Sequence, residues 1–386
     1  ERIEDLIQDK ETDDLLTGEL SFFYGFFTYF EGQAEKSLKH LDEAHRKLQG
    51  RVGVILGEVE FMLGLARQMD GEEEAAIQIL NQRLSTATAT QKIYKTRLLG
   101  GLSFIQMLSG FLSKAIDTMQ QFQRLAVESG SLYALDWADY IVGWVSFQAY
   151  DREAALEGFL SAVKRSYSQE MTLSVNAHIG LALTYESLHR QDEADKVVNQ
   201  LTEFTKDMNN EQCLSLVNSC RARLSLLRGD LSSALAWANT FKAETDPFEL
   251  FVWMESPGLT KARALIRDDS EESLKEAIDF LGNLLKLVQS VHFISHKIDI
   301  LVLLTLAFKK RGHIADALST LEEALVLARP RRWIRSFVEA GDPMAALLKE
   351  LLHKNVELTF IEKLLSLIEM DGNHPSSITG ESIIRR

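Results

Sequence analysis

The sequence predicts an all-α protein, a right-handed superhelix of about eight helix hairpins of about 40 residues each. Three observations predict this fold class. A small residue followed by an apolar one recurs at a nearly constant spacing along the chain. A second small residue stands twelve positions earlier in seven of the eight copies. Only 5 prolines occur among 386 residues, which favours long uninterrupted helices.

The recurring small residue sets the period of the array. It follows a turn residue and a polar stretch, and its eight copies are Ser37, Ala76, Ala115, Ala155, Ala194, Ala234, Ala277 and Ala317. The distances between consecutive copies are 39, 39, 40, 39, 40, 43 and 40 residues. A fixed period of this length is typical of a solenoid of stacked repeat units.

The second small residue indicates that each unit holds two helices. Its copies are Gly25, Gly64, Ser103, Gly143, Ala182, Ala222 and Thr305, whereas the seventh unit has Leu265. Small residues twelve apart across a turn let two antiparallel helices approach closely, and tetratricopeptide (TPR) repeats use the same spacing. Each hairpin leaves an apolar face uncovered, so neighbouring hairpins must stack for the array to be stable.

Two interruptions divide the chain. Between Ala234 and Ala277 the spacing stretches, and Pro247 and Pro257 indicate a longer connection over residues 245–258. An ordinary loop and a functional one both fit this pattern. After the eighth hairpin, prolines and a glycine break the period. The predicted organisation is a repeat superhelix over residues 1–328, a helical cap over residues 329–370 and a linker-like tail over residues 371–386.

Composition and motifs argue against several function classes. The formal net charge of −14 disfavours direct DNA binding by this segment. The sequence has no P-loop, His-Glu-x-x-His, Cys-x-x-Cys or Gly-x-Ser-x-Gly, so we expect no enzyme activity and no metal site. The longest apolar stretch, residues 21–30, is about half of what a membrane span needs. The two cysteines are too few for a disulfide framework, and we recognise no signal peptide. Both observations favour a location in the cytoplasm.

The TPR-like register predicts which side chains face the concave groove. They stand six and three positions before the small residue of each first helix, and one and four after it. In the fourth hairpin these positions hold an aromatic stripe, and the fifth and sixth hairpins add two charged residues. The predicted ligand-binding residues are Trp137, Tyr140, Trp144, Phe147, Glu186 and Arg223.

A partly apolar ligand such as a sugar, an aromatic compound or a peptide suits this set of side chains. Apolar residues recur one position past the small residue in most hairpins, so a core column is the alternative interpretation of the aromatic stripe. The sequence leaves both interpretations open, and it leaves open whether the protein itself fills the groove.

A basic cluster follows the eighth hairpin. Although the chain as a whole is acidic, the five residues from 331 to 335 contain three arginines, Arg331, Arg332 and Arg335. We predict that these three arginines dock an acidic partner or a neighbouring domain. The alternative is an exposed helix end with cations near its C-terminus.

The end of the array resembles the MalT-like regulators, the large ATP-binding members of the LuxR group of transcription regulators. The resemblance lies in residues 301–330, in Trp333-Ile-Arg-Ser-Phe337 and in the stretch from Gly341-Asp-Pro-Met344 to residue 348. Gly18-Glu-Leu-Ser-Phe-Phe and the hairpins that follow resemble the sensor region of the same family. The likeness covers about residues 18–353, and it implies the inducer-sensing superhelix of a bacterial transcription activator.

In that family an ATP-binding module precedes the repeats and a helix-turn-helix DNA-binding domain follows them. Neither lies within these residues, and the sequence begins without methionine, so we expect a part of a larger regulator. ATP then belongs to the other module, and no cofactor is expected in this chain. The expected partners are a small-molecule inducer or a regulatory protein in the groove, other domains of the same regulator and, after ligand binding, further copies of it. The alternative is a stand-alone TPR-like scaffold or a peptide-binding protein.

Overall fold

The computed structural model describes residues 10–50, 53–164, 170–352 and 357–372, and all regular secondary structure in these ranges is helical. Sixteen of the α-helices form eight consecutive pairs. The first four pairs are α1 (Lys10–Phe30) and α2 (Ala34–Leu48), α3 (Val54–Met69) and α4 (Glu73–Thr86), α5 (Lys92–Leu108) and α6 (Leu112–Ser129), and α7 (Leu132–Gln148) and α8 (Arg152–Lys164).

The other four pairs are α9 (Met171–Ser187) and α10 (Gln191–Asp207), α11 (Glu211–Leu227) and α12 (Leu231–Ala238), α13 (Pro257–Asp268) and α14 (Glu271–Ser290), and α15 (Ile294–Lys310) and α16 (Ile314–Ala328). Three more helices follow them, α17 (Arg335–Glu339), α18 (Gly341–Leu352) and α19 (Leu358–Gly372). The all-α superhelix of eight hairpins that the sequence predicts is therefore confirmed.

The small residues of the period lie where the two helices of each hairpin meet. All eight copies, from Ser37 to Ala317, are completely buried. In the first hairpin the hydroxyl of Ser37 donates a hydrogen bond to the carbonyl oxygen of Gly25 at 2.7 Å, which joins the two small residues of one unit directly. Larger side chains at these positions would hold the paired helices apart, because interiors are close-packed.

The turn inside every hairpin has the same backbone geometry. One residue per turn has a positive φ, and the eight such residues are Gly32, Gly71, Gly110, Tyr150, His189, Gly229, Asp269 and Gly312. In the first turn the Gly32 amide donates to the carbonyl oxygen of Tyr29 and the Gln33 amide to that of Thr28. A left-handed residue after a helix with this bonding pattern ends the helix and reverses the chain. The recurring glycine of the sequence pattern thus makes the turn in five of the eight hairpins, and Tyr150, His189 and Asp269 have the same conformation in the other three.

The superhelix closes on itself. The turns of the first three hairpins lie against the segments that follow the sixth, seventh and eighth hairpins. A Cβ at Gly32 would lie 3.0 Å from the Pro247 ring. His292 accepts a hydrogen bond on its carbonyl oxygen from the side chain of Gln68 at 2.8 Å. Arg331 donates to the carbonyl oxygen of Ser109 at 2.6 Å. Turn-to-turn contacts therefore hold the two ends of the array together.

The segments of α17 and α19 also contact the fourth hairpin. The Ile334 amide donates to the carbonyl oxygen of Gln148 at 3.2 Å, and Arg152 forms an ion pair with Asp371 at 3.1 Å. Asp371 and Gly372, the first residues of the predicted tail, belong to α19; residues 373–386 lie outside the described residues, as do residues 1–9. No helix in the described part of the chain is long and apolar enough to span a membrane.

Candidate functional site

The predicted aromatic stripe lies on the concave side of α7, and the chain itself covers it. Trp137, Tyr140, Trp144 and Phe147 are all buried. The covering element is residues 247–256, the longer connection that the sequence predicts between the sixth and seventh hairpins; we call it the groove segment. The Tyr140 hydroxyl donates to the carbonyl oxygen of Val252 at 2.6 Å, and burial raises the pKa of Tyr140 well above its ordinary value. The Trp144 ring nitrogen donates to the carbonyl oxygen of Trp253 at 3.4 Å.

Aromatic side chains anchor the groove segment across several hairpins. Phe251 packs against Phe30 and Phe104, with ring centroids 5.4 and 5.3 Å apart, and Trp253 packs against Trp137 at 6.2 Å. Edge-to-face and tilted ring pairs at such distances add stabilisation beyond the apolar area that they bury. The groove segment therefore fills the interior of the N-terminal half of the superhelix.

The polar end of the groove segment is anchored by Glu255. Its carboxylate accepts hydrogen bonds from the hydroxyls of Ser219 and Thr260 at 2.6 and 2.5 Å, and from Arg223 at 3.1 Å. The Met254 amide beside it donates to the side-chain oxygen of Asn176 at 2.9 Å. These bonds satisfy a carboxylate that is almost fully buried, as a stable buried charge requires.

A buried cluster of charges joins the repeats to α17. Arg223 and Arg335 share the carboxylate of Glu339, with nitrogen–oxygen distances of 3.2 and 2.7 Å. The Arg335 guanidinium also lies 3.7 Å from the centroid of the Phe147 ring. Burial favours the neutral form of Glu339, but the charges of Arg223, Arg335 and Arg263 outweigh it and hold the pKa of Glu339 well below its ordinary value. Burial lowers the pKa of Arg335.

The other predicted site residues have different surroundings. Glu186 is buried and accepts two hydrogen bonds from Arg228, at 2.9 and 2.7 Å. Arg331 bonds to Ser109, and its guanidinium lies 4.6 Å from the centroid of the Phe111 ring. Arg332 is exposed. The structure thus engages Glu186, Arg331 and Arg335 in internal contacts, and their roles in binding stay predictions.

A cavity of about 640 Å³ remains open in the C-terminal half of the concave side. Helices α11, α13 and α15 and the cap form its walls. The apolar lining residues are Leu226, Leu227, Ile266, Val302, Leu303, Leu306, Ala340 and Pro343. The charged ones are Arg223, Arg263, Arg267, Asp299, Lys309, Lys310, Glu339 and Asp342. A cavity of this volume with apolar walls and a few charged groups is typical of a site for a small molecule.

The TPR-like register accounts for this lining. Counted from Thr305 of the eighth hairpin, the four groove positions are Asp299, Val302, Leu306 and Lys309, and all four line the cavity. The same four positions in the fourth hairpin gave the aromatic stripe. The TPR-like register therefore predicts the lining residues that the eighth hairpin contributes to this cavity. Arg263 follows from no such rule, because the small-residue spacing breaks in the seventh hairpin.

Two of the three carboxylates that line the cavity, Asp299 and Glu339, are bonded to neighbouring groups. Asp299 accepts a hydrogen bond from the Trp333 ring nitrogen at 3.0 Å and another from the Ser336 hydroxyl. Glu339 is shared by Arg223 and Arg335, as described above. In the described part of the chain, no group of three or more His, Cys, Asp or Glu side chains is placed to hold a metal ion.

The family model described as the MalT-like TPR region matches residues 18–354. Among solved structures, a Rap protein complexed with Competence and Sporulation Factor is similar over 92% of this chain and 97% of that chain, at 12% identity and a TM-score of 0.57. The apo form of the quorum sensor NprR from B. thuringiensis covers 95% of this chain and 100% of its own, at 14% identity and a TM-score of 0.47. No curated protein sequence matches the chain. At such identities the Rap structure shows a shared fold.

Proposed function

The chain belongs to the MalT-like TPR family, and on that premise we propose that it is the effector-sensing region of a MalT-like transcription activator of the LuxR group. It binds a small effector in the cavity between the last hairpins and the cap. ATP binding and DNA binding belong to other domains of that regulator, which acts in the cytoplasm. The exposed Arg332 is a candidate contact to those domains.

The main support for this proposal is the position of the cavity. Its walls come both from the repeats, such as Val302 on α15, and from the cap, such as Ser336 and Ala340. A ligand that contacts both parts stabilises the arrangement in which they enclose it. Because a ligand shifts a conformational equilibrium only through its differential affinity for the two states, a site shared by two parts suits a sensor. In the complete regulator the enclosed state would favour self-association.

The effector proposal predicts stabilisation by one chemical class in a thermal-shift screen. We would test oligosaccharides, aromatic acids, nucleotides and short peptides. A ligand at 100 times its dissociation constant stabilises the fold by about 2.7 kcal/mol. The control is the variant Leu306→Trp, which fills the cavity from a half-buried position. We expect the shift to disappear in that variant. A shift of equal size in Leu306→Trp, or no shift with any class, would contradict an effector site in this cavity.

The groove segment supports a second candidate, a peptide-binding superhelix. Side chains of the groove bond to the main chain of this segment, through Tyr140, Trp144, Asn176 and Arg223. Bonds to main-chain groups hold a peptide segment with little dependence on its sequence. The similar Rap structure is described as complexed with Competence and Sporulation Factor. In this candidate an external peptide would replace the groove segment over the aromatic stripe.

The variant Trp253→Ala tests this second candidate. It removes the ring contact with Trp137 and so weakens the internal occupant of the groove. A labelled peptide with the sequence of residues 245–256 is expected to bind this variant about tenfold more tightly than the unmodified chain, because the fraction of open groove rises. Fluorescence anisotropy measures the affinity, and Phe23→Ala, at an exposed aromatic residue, is the control. Equal affinity for all three proteins would show that the groove segment is a permanent part of the core.

A further inference from the structure

The cations of the cavity differ in what they contact. Arg223 is held by Glu255 and Glu339, Lys310 pairs with Asp269 at 3.0 Å, and Lys309 donates to the carbonyl oxygen of Pro343 at 2.7 Å. Arg263 has no hydrogen bond and no ion pair to any residue that the structure describes. The cavity wall therefore holds one half-buried guanidinium that forms no hydrogen bond and no ion pair with the described part of the protein.

The electrostatic environment of Arg263 is unfavourable for a cation. Burial lowers the pKa of Arg263, and the charge of Arg223 lowers it further. The nearby carboxylates, Glu255, Glu339 and Asp299, act in the other direction, but each is already bonded to other groups. Five cationic side chains line the cavity against three carboxylates. A half-buried guanidinium in such surroundings is stabilised by an anion that reaches it.

The wall that holds Arg263 also carries apolar side chains. Ile266 lies on the same helix, and Leu226, Val302, Leu303 and Leu306 belong to the neighbouring helices α11 and α15. Where such side chains contact a ligand they displace water, and this strengthens the attraction between opposite charges there. A ligand that matches both features has an anionic head and an apolar body.

We propose that the cavity binds a small amphiphilic anion, whose carboxylate or phosphate group lies on the guanidinium of Arg263 and whose apolar body lies against Leu226, Val302 and Leu306. This inference rests on the proposed effector-binding function and names the chemical class of the effector. Arginine suits the role because its planar donors form two parallel hydrogen bonds with a carboxylate or a phosphate.

Three probes of equal chain length test the charge requirement. They are octanoate, octyl phosphate and 1-octanol, with binding measured by isothermal titration calorimetry. We expect at least one anion to bind about tenfold or more tightly than the alcohol, because hydrogen bonds to charged groups are among the stronger ones. The ratio between the two anions then tells a carboxylate site from a phosphate site. Failure of both anions to bind more tightly than octanol would overturn the proposal.

The variant Arg263→Gln tests the residue itself. It should lose the preference for the anion and keep the affinity for octanol, whereas Arg263→Lys should retain part of the preference. Arg124→Gln, at an exposed position of α6, makes the same change of net charge and should leave all affinities unchanged. Since Arg263 forms no hydrogen bond and no ion pair with the described residues, Arg263→Gln should change the melting temperature little. A marked loss of stability, or an unchanged preference for the anion, would overturn the proposed role.

The proposal for the ligand and the proposal for the site fail in different ways. If all three probes bind equally and Leu306→Trp abolishes their binding, the cavity is an effector site and only the anionic class is wrong. If Leu306→Trp leaves the binding of every probe unchanged, the probes bind elsewhere and both proposals fail.

Discussion

Replacing Glu339 by glutamine is expected to lower the free energy of unfolding by about 3 kcal/mol, because removing one member of a buried ion pair leaves its partners as unpaired buried charges. Glu339 is the only carboxylate within ion-pair distance of Arg335 among the described residues, and Arg223 bonds to it as well. We place the loss at the lower end of the usual range, since the Glu339 side chain remains 14% exposed.

Urea denaturation measures this loss, and Glu369→Gln is the control. Glu369 lies 3.9 Å from Lys349, and both side chains are mostly exposed. Exposed pairs contribute roughly 0–1 kcal/mol, so the control should unfold almost like the unmodified chain. A loss of less than about 1 kcal/mol in Glu339→Gln would mean that water or other groups compensate both arginines.

The Glu339 carboxylate makes the free energy of unfolding depend on pH. Its pKa in the folded chain lies below the ordinary value of 4.5, so folding favours the ionised form. The stabilisation is complete above pH 4.5 and is lost as the pH falls towards the folded-state pKa. Glutamine cannot be protonated in this range, so the stabilities of Glu339→Gln and of the unmodified chain should converge as the solution is acidified.

The substitution Gly158→Ala is expected to destabilise the fourth hairpin by about 2 kcal/mol, through overpacking between α7 and α8. A Cβ at Gly158 would lie 2.6 Å from the amide nitrogen of Gly143 and 2.7 Å from its Cα. These are backbone atoms of α7, so no side-chain rotation relieves the clash and the two helices must move apart. The gain of about 1 kcal/mol in helix propensity offsets only part of this loss.

A matched substitution in another helix should have the opposite sign. At Gly282 in α14, no described atom beyond the adjoining helix backbone lies within 4 Å of the place that a Cβ would take, so Gly282→Ala gains helix propensity without a clash. It should stabilise the chain by up to about 1 kcal/mol. Thermal unfolding of both variants compares the two effects, and a stabilising Gly158→Ala would show that α8 can move away from α7 without loss.

The local pattern of the sequence predicts the repeats well because each repeat is a local structure. The period of small residues depends on contacts about twelve residues apart, between helices joined by a single turn, and all eight positions are buried as expected. The groove positions inferred for the fourth hairpin also apply to the eighth, where Asp299, Val302 and Leu306 line the cavity. Both features follow from the geometry of one hairpin and its neighbours.

The contents of the groove could not be predicted in this way. The aromatic stripe on α7 faces the concave side, but Trp137 and Tyr140 are covered by residues more than a hundred positions later in the chain. The sequence shows that residues 245–258 form a long connection, yet nothing in their composition says that the connection turns inward. Likewise Arg331 contacts Ser109 only because the superhelix closes, and closure depends on small rotations summed over many repeats.

That closure has a consequence for how the protein is made. In an open solenoid each repeat contacts only its neighbours and can fold as soon as they are present. Here the last residues of α3 bond to His292 and the turn after α5 bonds to Arg331, and these pairs are 222 to 224 residues apart. At ribosomal rates of about 5–20 residues per second, the early hairpins wait roughly 10–45 s for these partners. The aromatic stripe on α7 waits a shorter time, roughly 5–22 s, because Val252 and Trp253 follow Tyr140 and Trp144 by 112 and 109 residues. Until then these aromatic side chains of the nascent chain lack the groove segment.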